Sequence, residues 1–212
     1  MGHAFLDIAT TPSVRAAQQA NGSAAHYANF KSQRSSEGLG EAEIAFIAAR
    51  DSFYMATVSE TGWPYVQHRG GPQGFLRVLD EKTLAFADFR GNRQYISLGN
   101  LTASGRASFI LMDYPNRARL KLYVRIEARD ISADPGLAEK LIVPGYKGKP
   151  ERGLILHIEA FDWNCPQHIT PRFSEAELED AFAPVKRRLA DLELENAQLR
   201  RQLHDLTGVQ SW

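Results

Sequence analysis

The sequence predicts a mainly β fold with flanking helices: six or seven antiparallel strands forming a small β-barrel, followed by one long C-terminal helix. Three observations predict it. Between residues 53 and 163, β-branched and aromatic residues recur in short alternating runs separated by Gly, Pro, Asp and Asn turns. Helix signals with proper start and stop residues crowd instead into the first fifty positions. From residue 182 onward the apolar period switches to a heptad. The chain therefore reads as an N-terminal helical extension (1–40), a β-domain (41–173) and a C-terminal helix (174–212).

Residues 1–10 carry no clear pattern and read as loosely held. Thr11-Pro12 is a helix start, with Thr as N-cap and Pro at the first helical position, and Asn21-Gly22 ends that helix. A second helix is expected over Ala24–Gln33, and a third from Glu41 to near Asp51, on the spacing of Ile44, Ile47 and Ala48. Phe53–Ser59 and Pro64–Arg69, joined by Glu60-Thr61-Gly62, form a hairpin with alternating faces. Gly70-Gly71-Pro72-Gln73-Gly74 marks a bulge or an open loop where something approaches the backbone closely. Phe75–Leu79 and Thr83–Phe89 make a second hairpin, and Ala107–Tyr114 is a strongly apolar strand. In Leu120–Asp130 the residues Leu120, Leu122, Val124 and Ile126 share one face. Asp134–Leu141 is a short helix and Leu154–Trp163 the last strand.

In the tail, Phe182, Val185, Leu189, Leu192, Asn196, Leu199, Leu203 and Leu206 are spaced alternately three and four apart. With Leu189 at a, Asn196 also falls at a, where a buried amide favours a parallel two-stranded coiled coil. Arg188 at g then faces Glu193 at e of a second chain, and Glu195 faces Arg200. The competing reading is one amphipathic helix packed on its own domain.

At 212 residues, 43% hydrophobic and 24% charged, the chain can bury one well-filled domain plus an appendage. Its 25 basic and 25 acidic residues cancel, which argues against a general nucleic-acid or membrane-surface binder. Residues 65–125, however, hold ten Lys/Arg against four Asp/Glu, a local excess suited to a small anionic ligand. The single Cys165 excludes an intrachain disulfide, and no signal peptide or run of about 18 apolar residues stands out, so a soluble cytoplasmic protein is expected.

The chemistry concentrates around Tyr65–Gln94. Thr83–Phe89 runs into Gly91 and then Asn92-Arg93-Gln94, which opens a helix over Tyr95–Leu101. A strand end, a glycine, a helix start and an arginine together make an anion site, from outward N–H groups, the helix dipole and a guanidinium fork. The alternative is a capped strand-to-helix turn with solvated arginines. Gln67-His68-Arg69 are expected on a strand neighbouring Asp88, so that Arg69 and Arg93 supply phosphate charge while Gln67, Asn92 and Gln94 offer amides. Phe89 and Trp163 are candidates to cover an aromatic face. No histidine set has metal spacing; His68 and His168 are the acid–base candidates, and Cys165 lacks a CxxC partner. No GxGxxG, GxxxxGK[ST] or serine-nucleophile motif occurs.

Phe53–Val58, Gly62-Trp63-Pro64-Tyr65-Val66-Gln67-His68-Arg69-Gly70-Gly71 and Ala85–Gln94 resemble the pyridoxamine 5'-phosphate oxidase-related flavoproteins, over roughly Glu41–Arg172. The resemblance implies a split β-barrel, a homodimer and FMN at the subunit interface. It places Gln67, His68 and Arg69 along the flavin, and Ala87, Asp88, Phe89, Asn92, Arg93 and Gln94 at the ring edge and phosphate. A late segment from the other subunit would match Trp163, Asn164, Cys165, Gln167 and His168. The Arg-x-His substrate motif of the true oxidases is missing from Gln167–Arg172, which separates cofactor from substrate. What is implied is an FMN-dependent oxidoreductase; the alternative is a non-catalytic flavin-binding or sensing module acting through its coil. Haem or a deazaflavin in the same barrel is a third reading, disfavoured for haem because no histidine stands in an obvious axial position.

Overall fold

A computed structural model describes residues 4–28, 38–163 and 166–207. The chain divides into two units, residues 1–169 and 170–212. In the first, four short helices lead into the sheet: α1 (Ala4–Ala9), α2 (Pro12–Ala20), α3 (Ala24–Ala28) and α4 (Glu41–Ala48). Thr11 caps α2, its hydroxyl accepting from the Val14 N–H, as the Thr-Pro signature requires. The expected extension of α3 to Gln33 falls outside the described residues.

The expectation of a loosely held start is overturned. Phe5 of α1 is buried, its ring stacked on Tyr123 at 4.4 Å with the Lys121 ammonium 4.6 Å above it. One aromatic side chain outweighs the weak propensity of a six-residue helix, which pattern alone does not reveal.

The strands are β1 (Ser52–Val58), β2 (Pro64–Gly70), β3 (Arg77–Asp80), β4 (Thr83–Phe89), β5 (Arg106–Asp113), β6 (Ala118–Arg129) and β7 (Pro150–Trp163). Helix α5 (Ile96–Ser104) follows β4, and α6 (Pro135–Leu141) precedes β7. All seven strands form one antiparallel sheet in the order β2-β1-β5-β6-β7-β4-β3. The expected strand over Phe75–Leu79 is only Arg77–Asp80, because Phe75 and Leu76 plug the core from the loop instead. Gly71 shows why that loop needs glycine: a Cβ there would lie 2.6 Å from the Phe75 ring.

The core is the concave side of this sheet. Phe53 stacks on Phe75 and Phe109 and meets Phe86 edge-on, and Leu111, Leu120, Leu122 and Leu156 are buried beside them. Strand β4 is buried on both faces, since Leu84 and Phe86 enter this core while Ala85 and Ala87 lie under Leu137 and Leu141 of α6. That double burial explains its near-continuous apolar run.

The sheet curls strongly. Strands β2 and β4 stand five positions apart in the sheet, about 24 Å in a flat one at ~4.8 Å per strand. Yet Arg69 of β2 donates from Nη1 to Asp88 Oδ1 of β4 at 2.6 Å. The edges β2 and β3 are not paired with each other, so the barrel is split rather than closed. The expectation that β2 and β4 are neighbouring strands is thereby corrected: two hairpins adjacent in sequence sit at opposite ends of the sheet, and only its curvature reunites them.

The second unit is dominated by α7 (Glu175–Thr207), a helix of 33 residues, about 50 Å at ~1.5 Å per residue. A capping box starts it: Ser174 donates from N and Oγ to Glu177 Oε2, and its Oγ accepts from the Glu177 N–H. Pro184 lies inside the helix and cannot donate to the Asp180 carbonyl.

Candidate functional site

Where the curled sheet brings β2 and β4 together, a cleft opens between them and the start of α5. Its empty space, open mouth included, measures about 420 Å³. Strand alternation builds one wall: Tyr65, Gln67 and Arg69 turn inward from β2, while Pro64, Val66 and His68 turn outward. Asp88 and Phe89 end β4 at the floor, and Gly91, Asn92, Arg93 and Gln94 form the rim that leads into α5.

That rim is conformationally expensive. Arg93 and Tyr95 both adopt left-handed backbone angles, with φ of 61° and 54°. Non-glycine residues held there cost on the order of 1–3 kcal/mol each and persist where the surroundings demand them. Asn92 helps fix the turn, its Oδ1 accepting from the Gln94 N–H at 3.1 Å and its Nδ2 donating to Gln94 Oε1 at 3.3 Å. Tyr95 occupies the N-cap of α5 without a side-chain cap bond, leaving the first-turn N–H groups beside the cleft to another acceptor. The helix is anchored from behind: Asn100 Nδ2 donates to the buried Thr57 Oγ1 at 3.0 Å, and Ser97 Oγ donates to Gln67 Oε1 at 3.0 Å.

Four arginines and two carboxylates set the charge. Asp88 is mostly buried and holds Arg69 at 2.6 Å and the Arg152 guanidinium at 3.5 Å. Glu151 accepts from Arg90 Nε and from the Tyr95 hydroxyl, both at 3.1 Å, and pairs with Arg152 at 3.2 Å. Arg152 also lies 5.2 Å over the Tyr95 ring. Desolvation pushes the Glu151 carboxyl up, but the Tyr95 and Arg90 hydrogen bonds and the charges of Arg152 and Arg90 outweigh it, so its pKa lies below the usual glutamate value. Arg93 is exposed and has no ion pair among the described residues. Arg69, Arg93, Asp88 and Glu151 are the charged residues that line the cleft, Arg90 and Arg152 pairing with its carboxylates, and the buried Nε of Arg69 lacks an acceptor among the described residues.

Of the residues the sequence nominated, Gln67, Arg69, Asp88, Phe89, Asn92, Arg93 and Gln94 come together here. The others do not line this cleft. His68 lies on the outer face of β2, edge-on to Tyr54 at 5.5 Å. The Ala87 side chain packs in the cluster under α6. Trp163 ends β7 twelve residues beyond Glu151, about 40 Å along the strand at ~3.3 Å per residue; its Nε1 donates to Glu43 Oε1 at 2.6 Å and its ring meets Phe46. Gln167 and His168 form an exposed turn, His168 with φ of 63°. Asn164 and Cys165 lie outside the described residues.

Sequence reasoning passed over Tyr65, Tyr95, Ser97, Glu151 and Arg152. Tyr65 was accessible, since it shares the β2 face of Gln67 and Arg69. Glu151 and Arg152 were not, because β7 begins four residues before the apolar run that marked it.

The family profile of pyridoxamine 5'-phosphate oxidase matches residues 39–154, more than half of the chain. This chain belongs to that family. The matched stretch contains every residue that lines the cleft, Glu151 included. No curated protein sequence matches it. Among solved structures, a Lactobacillus delbrueckii protein described as a candidate pyridoxamine 5'-phosphate oxidase is 19% identical, with 61% of this chain and 97% of that one covered and a TM-score of 0.46. An FMN-binding protein from Syntrophomonas wolfei is 18% identical over 57% of this chain and 83% of its own, with a TM-score of 0.44. Group A Streptococcus HupZ is 16% identical over 64% of this chain and all of its own, with a TM-score of 0.45.

Proposed function

We propose that this member of the pyridoxamine 5'-phosphate oxidase family binds FMN in the β2–β4–α5 cleft as a homodimer and acts as an FMN-dependent oxidoreductase. The observation that carries the reading is the convergence of Arg69, Arg93 and the uncapped start of α5 on one cleft. The donor set suits a phosphate monoester: a guanidinium with a buried N–H awaiting an acceptor, a second guanidinium without an ion pair, and helix N–H groups. Asp88 is then a positioning residue, holding Arg69 in place rather than touching the phosphate. Gln67, Asn92 and Gln94 present amides to the ribityl chain and ring edge, with Gln67 oriented by Ser97. When bound, the flavin supplies the electron transfer, and the chain supplies binding, orientation and charge.

A second copy fits the distribution of the remaining residues. Trp163, Gln167 and His168 reach this cleft most simply from another subunit, since within one chain β7 carries Trp163 away from it. The outer face of the β1–β2 hairpin also exposes Tyr54, Val58 and Val66, an apolar ridge on the edge of the sheet.

The test is an absorbance spectrum of the purified protein, then titration of the apoprotein with FMN and with riboflavin. FMN is expected to bind at least ~10-fold tighter, and Arg93→Ala to weaken FMN by ~1.5–3 kcal/mol, the scale of a hydrogen bond to a charged group. Equal affinity for riboflavin, or an unchanged titration with the variant, overturns the site. Steady NAD(P)H oxidation or substrate turnover distinguishes the oxidoreductase from the competing flavin-sensing module, which α7 alone favours as a feature the barrel does not require.

A further inference from the structure

We infer that Val185–Leu206 of α7 forms a parallel, in-register two-stranded coiled coil with a second copy of this chain. The seam is apolar and in water: Val185, Leu189, Leu192, Leu199 and Leu206 are each between 43% and 85% exposed. Leu194, also exposed, lies off the seam at f and stands alone among polar neighbours.

The helix surface carries the receptor for its own side chain. A shallow hollow on α7 is lined by Leu189, Leu192, Glu193, Asn196, Ala197 and Arg200, the first four of which stand at heptad positions a, d, e and the next a. That set of four is the hole into which a d-position knob inserts in a parallel pair, and Leu192 of a second copy is the knob at that level. Parallel pairing also stacks Asn196 on Asn196, satisfying each amide with the other, whereas a shift of register would bury it against leucine. It sets Arg188 against Glu193 and Glu195 against Arg200 on both flanks, so all four inter-chain pairs attract. Pro184 sits at c, off the seam, immediately before Val185, which makes it the natural upper limit of the coil.

The pairing is tested in the full chain by charge reversal. One version carries Glu193→Lys and Glu195→Lys, the other Arg188→Glu and Arg200→Glu. Either alone puts like charges opposite each other at all four positions, while the two together restore four attractive pairs. Co-expressed under different tags, they are expected to favour the mixed dimer by at least ~10-fold over the statistical ratio. A statistical ratio overturns the proposal. Direction is read separately with Leu189→Cys, oxidised and digested, with the wild-type chain as control for Cys165. A peptide joined Cys-to-Cys through position 189 is expected. Linkage only between mixed Leu189→Cys and Leu206→Cys chains means an antiparallel pair and overturns it, as does the absence of any inter-chain link.

Discussion

The carboxylate of Asp88 is the point where the two ends of the curled sheet meet, and Asp88→Ala is the sharpest perturbation of that join. The change removes the carboxylate partner of Arg69 at 2.6 Å, leaving a guanidinium whose side chain is only 17% exposed, and takes from Arg152 its 3.5 Å contact while Glu151 still holds it at 3.2 Å. Breaking a fully buried ion pair costs ~3–5 kcal/mol; the partial exposure here reduces that to about 2–3 kcal/mol. With a urea slope of ~1–3 kcal/mol per molar, the midpoint of the barrel transition should fall by about 0.7–3 M at fixed protein concentration. Asp88→Asn keeps one acceptor and should fall between the variant and wild type. Arg69→Ala combined with Asp88→Ala should destabilise by at least ~1 kcal/mol less than the sum of the two single changes. If Asp88→Ala lies within ~0.5 kcal/mol of wild type, the 2.6 Å contact is a surface pair, and the account of what joins β2 to β4 is wrong.

Phe5→Ala, which unstacks α1 from Tyr123, should cost about 2–4 kcal/mol in the same denaturation experiment, against little change if the first helix were only loosely attached. Because Glu151 is held below the usual glutamate value, its contribution is fully present at neutral pH, persists down to the ordinary glutamate range, and is lost as pH falls through its lower folded value. Denaturation midpoints of wild type and Glu151→Gln should therefore keep a constant gap from neutrality to about pH 5 and converge only below the ordinary value. Convergence already above that range would count against the Tyr95–Arg90–Arg152 arrangement. The fourth expectation is the FMN titration with Arg93→Ala, where the selectivity for the phosphorylated flavin should fall with the affinity.

Much of the fold was legible because strand faces differ chemically. The alternation of Leu120, Leu122, Val124 and Ile126 gave the inward face of β6 directly, and Thr83–Phe89 is bounded in the structure as the sequence drew it. Thr11-Pro12 announced its helix by cap chemistry, and the cap accepts the expected N–H. What stayed hidden depends on pairing between distant strands. Nothing local in Gln67–Arg69 says that β1, β5, β6 and β7 intervene before Asp88, so the convergence of β2 and β4 was expected for a partly wrong reason. Phe5 was missed because a single anchoring side chain has no period. Tyr95 was missed because a left-handed non-glycine residue at an N-cap contradicts ordinary sequence preference; strain of this sort is invisible until the backbone is seen.

The bridge between Arg69 and Asp88 spans nineteen residues of sequence but fastens strands from near both ends of the sheet order. A phosphorylated guest seated there would work like a clasp on a bracelet: it can close only once every intervening link is in place. Partly folded chains would have no grip on it, so the guest's whole binding free energy should appear as resistance to cooperative melting of the barrel rather than as local stiffening.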